Sequence, residues 1–230
     1  MPHVMTVLGP VDPSALGFTL PHEHTQCVLW HIENRWDYWE LTADEAIILE
    51  ELRLYKEAGG TCLTDVTMPN IGRDPLWLKG LAEKSGLHLV MGGGWYRTAY
   101  YPPEANIERR TVDSLAEELV HDALEGVGDT GIRIGILGEI GTDKPWMTPI
   151  EERVHRAVAR ASRRTGLAIT THAVMSDVGA WQLSVFEEEG ADPGRVVIGH
   201  ADSHPVLDHY LSLIRRGASI EFDFLGMSFT

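Results

Sequence analysis

The feature that most narrows the folds open to this chain is an alternation of short apolar runs with helix-like segments closed by glycine. Seven runs follow one another at Gly17–Pro21, Cys62–Met68, Leu87–Met91, Ile134–Ile140, Leu167–Thr171, Val196–Ile198 and Ala218–Phe224. They are short, and several are rich in Val and Ile, as expected of parallel strands buried on both faces. The segments between them carry helix end signals. Thr42 and Glu45 have capping-box spacing, and Gly59-Gly60 follows as a stop. Thr148-Pro149-Ile150-Glu151 adds a proline at the first helical position to the same box and predicts a helix running to Gly166. Further helices are expected over Pro75–Lys84, Val112–Glu125, Asp177–Glu189 and Pro205–Arg216.

Strand–helix alternation implies a parallel sheet, and 230 residues suit one large α/β domain or two small ones, of which a single domain is expected. With seven candidate strands, two architectures meet that description, an open doubly wound sheet and an incomplete eight-stranded barrel. An open sheet that binds a dinucleotide would place Gly-x-Gly-x-x-Gly after its first strand. Here Gly92-Gly93-Gly94 follows the third run and lacks the rest of that pattern. The ionisable residues favour the barrel, because nearly every apolar run ends in a potential metal ligand or carboxylate. In a parallel barrel the C-terminal strand ends converge on one mouth, so residues distant in sequence become neighbours.

The first run ends in His22-Glu23-His24, the fourth contains Glu139, the fifth leads into His172, the sixth into His200 and Asp202, and the seventh holds Asp223. Strand side chains alternate between faces, so His22 and His24 are expected to point the same way while Glu23 points away. Imidazole and carboxylate ligands suit Zn²⁺, and also Mn²⁺ or Co²⁺. The loop after the third run supplies Trp95, Tyr96 and Arg97 as candidate substrate contacts, with Tyr100-Tyr101 in the same loop. Its alternative reading is that Trp95 packs beneath the loop. Trp30, Trp36 and Trp39 follow the first run and are candidates for covering the mouth.

Charge and cysteine content narrow the partners. Nineteen Lys and Arg against 34 Asp and Glu give a net charge of −15. That balance argues against nucleic acid and against anionic membrane surfaces. Cys27 and Cys62 do not make a disulfide framework, which fits a reducing compartment. With no signal-peptide pattern and no stretch of membrane-span length, a cytoplasmic protein acting on a small molecule is expected.

The segments that carry these candidates also resemble a known family. Gly17-Phe18-Thr19-Leu20-Pro21-His22-Glu23-His24 is similar to the N-terminal signature of phosphotriesterase-like proteins, in the amidohydrolase superfamily. Ile134-Gly135-Ile136-Leu137-Gly138-Glu139-Ile140-Gly141-Thr142 resembles the strand that bears their bridging ligand. Thr170-Thr171-His172, Ile198-Gly199-His200-Ala201-Asp202 and Glu221-Phe222-Asp223-Phe224 resemble the later motifs, in the family's order.

The resemblance implies a (β/α)₈ TIM barrel with two divalent ions, Zn²⁺ first among the choices. His22, His24 and a bridging residue would hold one ion; the bridge, His172 and His200 would hold the other. Many members bridge with a carboxylated lysine. Here the strand offers Glu139, which places the chain nearer the glutamate-bridged subgroup and favours ester or amide bonds over lactones and phosphotriesters. The implied chemistry is attack by a hydroxide shared between the metals, with Glu139, Asp202 and Asp223 as the carboxylates at the mouth. A homodimer is also implied. The family's eighth strand bears a metal-binding Asp with no counterpart before Thr230, so the barrel is expected to be truncated ahead of that strand. The competing expectation is a non-catalytic metal- or ligand-binding protein on the same fold.

Overall fold

A computed structural model describes residues 2–29, 40–41 and 43–225. Trp30, Trp36, Trp39 and Thr42 lie outside the described residues. The chain is α/β and divides into two compact units, Met1–Gly93 with His121–Ile136, and Gly94–Val120 with Leu137–Thr230.

The first unit holds strands β1 (Val4–Thr6), β2 (Gly9–Val11), β3 (Phe18–Glu23), β4 (Cys27–Val28), β5 (Glu40–Leu41), β6 (Gly60–Asp65) and β7 (His88–Gly93), with helices α1 (Glu45–Glu57) and α2 (Pro75–Ser85). Strands β3, β6 and β7 pair in parallel in that order. All three fall on expected strand runs; β6 and β7 are buried as expected, whereas β3 is mostly exposed or half-buried, with Phe18 65% exposed. Leu63, Leu89 and Met91 lie in its core with Leu78 and Leu81 of α2. Cys27 and Cys62 are both buried.

Helix α1 begins differently from expectation. Its cap is Asp44, whose carboxylate accepts from the Ala46 and Ile47 amides at 3.0 and 3.4 Å. An Asp directly ahead of the first helical residue reaches those amides without spacing to spare, so the capping-box spacing of Thr42 and Glu45 is not what starts the helix. Helix α2 follows the stronger pattern, with Asp74 as cap, Pro75 at the first position and Gly86 closing it in the left-handed region.

The sequence reading contained no counterpart for the hairpin β1–β2. It is three residues per strand, joined through Val7-Leu8, with Thr6 Oγ1 donating to Gly9 O at 2.8 Å. The Val7 amide donates to Leu89 O, and a Cβ on Gly135 would lie 2.2 Å from Met5 O. The hairpin therefore lies against the chain at β7, where only glycine leaves it room.

The second unit contains β8 (Ile136–Gly141), β9 (Ile169–His172), β10 (Val196–Gly199) and β11 (Ser219–Ile220), again parallel and in sequence order. Its helices are α4 (Pro149–Thr165), α5 (Val178–Glu188) and α6 (Leu207–Arg215); α3 (Val112–Leu124) spans the boundary between the units. Val154, Val158, Leu183, Phe186 and Leu213 of the helices and Leu137, Ile169 and Ile198 of the strands are buried in this unit. Removing a side chain such as Phe186 from water contributes roughly 1.5–3 kcal/mol.

The capping box on α4 forms as read, and Gly166 ends the helix with φ 77°. The run Ala218–Phe224 is a strand only over Ser219–Ile220. Glu221 still exchanges main-chain bonds with Ile198 O and the Ala201 amide before the chain leaves the ladder. Among the described residues, no helix is long and apolar enough to cross a membrane.

Candidate metal centre

In the second unit the site starts from a glycine. Gly138 has φ +123°, and a Cβ there would lie 2.1 Å from Thr170 O, so no other residue fits. The same stretch breaks the register: Leu137 pairs with Ile169 but Ile140 with Thr171, three residues of β8 against two of β9. An extra residue of this kind re-aims the side chain it carries. Glu139 is that residue's neighbour, and it is 2% exposed.

Its Oε2 lies 2.8 Å from His172 Nδ1 and 3.2 Å from His200 Nε2, and those two nitrogens are 2.9 Å apart. His172 ends β9, where Gln182 Nε2 donates to its carbonyl at 3.0 Å and ties the strand end to α5. Burial, above all, pushes the His172 imidazole down to about 3. Glu139 pulls the other way, while His200 and Arg97 add to the depression. His172 is thus a neutral base at neutral pH.

His200 follows β10 in a left-handed conformation, φ 58°, which is uncommon for a residue with a side chain. The amide and Nδ1 of His200 both donate to Asp223, at 3.1 Å to Oδ2 and 2.7 Å to Oδ1. With its proton held on Nδ1, the neutral ring carries its lone pair on Nε2, the atom that faces Glu139 and His172. Phe224 stacks on the same ring, centroids 4.1 Å apart and planes 2° from parallel. Asp202 serves the backbone instead: its Oδ2 accepts from the Phe224 amide at 2.9 Å.

A carboxylate oxygen and two imidazole nitrogens mutually 2.8–3.2 Å apart are close to the spacing of neighbouring ligands on one ion. A tetrahedral shell with bonds of 2.0–2.1 Å has edges of about 3.3 Å. Asp223 behind His200 completes the carboxylate–histidine arrangement that orients metal-binding imidazoles. Glu139, His172 and His200 therefore fit a divalent cation in both donor type and spacing.

The loop after β7 lies in this unit as well. The Tyr96 hydroxyl sits 3.4 Å from both ring nitrogens of His172. The Arg97 guanidinium lies over the rings of Tyr96 and Tyr100, 4.6 and 5.0 Å from their centroids. Trp95 is 2% exposed, with Arg110 6.0 Å from its ring, which matches the reading of it as a packed residue beneath the loop. Gly141 leaves room for this loop, since a Cβ there would come within 2.9 Å of both Arg97 Cγ and His172 Cβ.

In the first unit, His22 lies within β3 and His24 just beyond it. Their rings are 5.7 Å apart and inclined at 71°. Sequence reasoning did not single out Asp65 at the end of β6, although a carboxylate closing an apolar run was the signal used elsewhere. Asp65 is buried and accepts from the Thr25 amide, the Thr25 hydroxyl and the Thr67 amide at 2.7, 2.7 and 2.9 Å. Thr67 Oγ1 in turn lies 2.9 Å from His24 Nδ1.

The sequence profile described as the Phosphotriesterase family matches residues 2–230. The phosphotriesterase homology protein of Escherichia coli is 33% identical over 216 residues, covering 94% of this chain and 72% of its own length. Human N-acetyltaurine hydrolase is 32% identical, covering 97% of this chain and 72% of its own length. Among solved structures, a resiniferatoxin-binding protein from Rhodobacter sphaeroides superposes with a TM-score of 0.90 at 32% identity, over 99% of this chain and 71% of that one. An organophosphorus hydrolase from Deinococcus radiodurans gives 0.85 at 28% identity, over 99% and 70%. On this sequence match, carried across nearly its whole length, the chain belongs to the phosphotriesterase family.

Proposed function

We propose that this protein is a metal-dependent hydrolase acting on an ester or amide bond of a small molecule. In this reading the strands belong to a (β/α)₈ barrel fold, and the chain would hold two divalent ions, zinc first among the choices. His22, His24, Glu139, His172 and His200 would hold them. The observation that carries the reading is the convergence of Glu139 Oε2, His172 Nδ1 and His200 Nε2 within 3.2 Å, with the far side of His200 held by Asp223. Relatives named for hydrolysis support it, and N-acetyltaurine hydrolase by its name acts on an amide.

Divalent ions bound there would supply Lewis acidity, which acidifies water and polarises a carbonyl or phosphoryl group. The chain's own residues do the rest. Asp223 keeps the proton on His200 Nδ1, so that ring cannot turn its N–H inward. Burial keeps His172 unprotonated across the working pH range. Tyr96 places a hydroxyl donor beside His172, suited to an oxygen that gains negative charge during attack. Arg97, laid over Tyr96 and Tyr100, gives the acyl or leaving group a cationic and aromatic wall.

The test is elemental analysis of the purified chain together with hydrolysis of a panel of N-acyl and ester substrates. About two divalent ions per chain and chelator-sensitive turnover are expected. His22→Ala should lower the metal content, and Glu139→Gln should weaken both ions together. A chain with no bound transition metal overturns the proposal. A second reading draws on the solved relative described as a resiniferatoxin-binding protein: ligand capture without turnover. Metal and ligand binding with no hydrolysis across the panel would favour it.

A further inference from the structure

We infer that Thr67 and Asp65 are positioning residues that fix the tautomer of His24, so that its Nε2 carries the lone pair. The inference rests on the reading of His24 as a metal ligand, and it adds two residues on β6 and its loop to the support of the first ion.

Thr67 Oγ1 has one hydrogen. It lies 3.1 Å from Gln26 O, a carbonyl that can only accept, so the hydroxyl hydrogen goes there. At His24, 2.9 Å away, the same oxygen can then only accept. His24 must donate from Nδ1, and a neutral imidazole that donates from Nδ1 has its lone pair on Nε2.

Asp65 keeps Thr67 in that role. Its Oδ1 accepts from the Thr67 amide and its Oδ2 from the amide and hydroxyl of Thr25, the residue after His24. One buried carboxylate thus holds the backbone on both sides of the His24–Thr67 contact. Trp77 Nε1, 3.2 Å from Thr25 Oγ1, uses the lone pair that the Thr25 hydroxyl has left. From Trp77 through Thr25 to Asp65, and from His24 through Thr67 to Gln26, each hydroxyl donates one way and accepts the other.

A merely structural role for Thr67 would not depend on its hydroxyl. Thr67→Val keeps the shape and removes the acceptor; Thr67→Ser keeps the acceptor. Two readouts are needed on the full chain. Long-range ¹H–¹⁵N NMR of metal-free protein reports which His24 nitrogen bears the proton. Competition with a chromophoric chelator reports zinc affinity.

Wild type and Thr67→Ser should show the Nδ1–H form of His24. Thr67→Val should lose it and bind the weaker of its zinc ions about 10–100-fold less tightly. Asp65→Asn, with one acceptor where two are used, should shift both readouts in the same direction. Wild-type tautomer and zinc affinity in Thr67→Val overturn the inference while leaving the metal centre standing. No zinc uptake by the wild-type chain overturns the metal reading itself, a separate outcome that the affinity measurement identifies first.

Discussion

At the scale of single residues, His200 shows how much of a site lies in the atoms behind its ligands. Its left-handed backbone turns the ring toward Glu139, and Asp223 takes up both protons that this turn exposes, on the amide and on Nδ1. Two donors need two acceptor oxygens. Asp223→Asn offers one oxygen and one amine, so either the amide or Nδ1 loses its partner. The expected result is a 10- to 100-fold loss of metal affinity, about the range seen when such supporting groups are removed, with little change in secondary structure. Chelator competition on the variant measures it; unchanged affinity would mean that Phe224 stacking alone holds the ring. Both Asp202 and Asp223 were visible in the sequence as carboxylates at strand ends. Which of them meets the imidazole was not, because β11 ends at Ile220 and the turn that follows decides it.

At the scale of elements, the two units share an irregularity. In β3 against β6, Leu20 pairs with Leu63 and Glu23 with Asp65, three residues against two, and His22 lies inside that interval. In β8 against β9 the same three-to-two mismatch encloses Glu139. Strand alternation predicts the faces of His22 and His24 from a period of two, but an extra residue resets the period where a candidate ligand stands. The existence of the strands and the candidate ligands was therefore legible, since apolar runs and strand-end histidines are local signals. Their aim was not, because register is a property of two strands. The Thr42 cap failed for a related reason: spacing alone cannot choose between Thr42 and the adjacent Asp44.

Two variants probe these elements. Gly138→Ala must relieve both a φ of +123° and a contact of 2.1 Å with Thr170 O. A loss of at least about 3 kcal/mol is expected in urea unfolding, with metal content falling alongside. An Ala variant of wild-type stability would show that β8 and β9 can separate at no cost. Glu151 is the second. It is fully buried at the start of α4, and it accepts from Thr148 N, Thr148 Oγ1 and Asp143 N at 2.6–2.9 Å, with Thr98 N at 3.4 Å. The capping box was read as a local helix signal, yet this carboxylate also joins the loops after β7 and β8. Glu151→Ala should cost about 2–4 kcal/mol, against about 1 kcal/mol for Thr148→Ala. Equal losses would reduce Glu151 to an ordinary cap.

For the molecule as a whole, stability in mild acid turns on a histidine outside the site. His155 is fully buried on α4; Nδ1 donates to Glu151 O at 2.8 Å and the ring stacks on Phe186, centroids 5.5 Å apart. Burial pushes its pKa from 6.5 down to about 4, against a weaker upward pull from Glu151 and Glu152. Above 6.5 the ring is neutral folded or unfolded, and stability is complete. Between 6.5 and 4 the unfolded chain takes up a proton that the fold excludes, so stability falls by about 1.4 kcal/mol per pH unit. Below 4 both states are protonated and this loss, about 3 kcal/mol in all, stops growing. A net charge of −15 acts oppositely, because acid also relieves repulsion among carboxylates. His155→Phe separates the two effects. It keeps the stack on Phe186 and gives up a bond to a carbonyl that already accepts the helix's own i+4 amide. The charge term and the titration of His172 are common to both proteins and cancel in their difference. The difference in unfolding free energy, from urea titrations of metal-free protein, should be constant above pH 7 and move in favour of the variant by about 3 kcal/mol on reaching pH 4. A difference that stays level across that range would mean that His155 takes its proton inside the fold, with Glu151 and Glu152 outweighing burial.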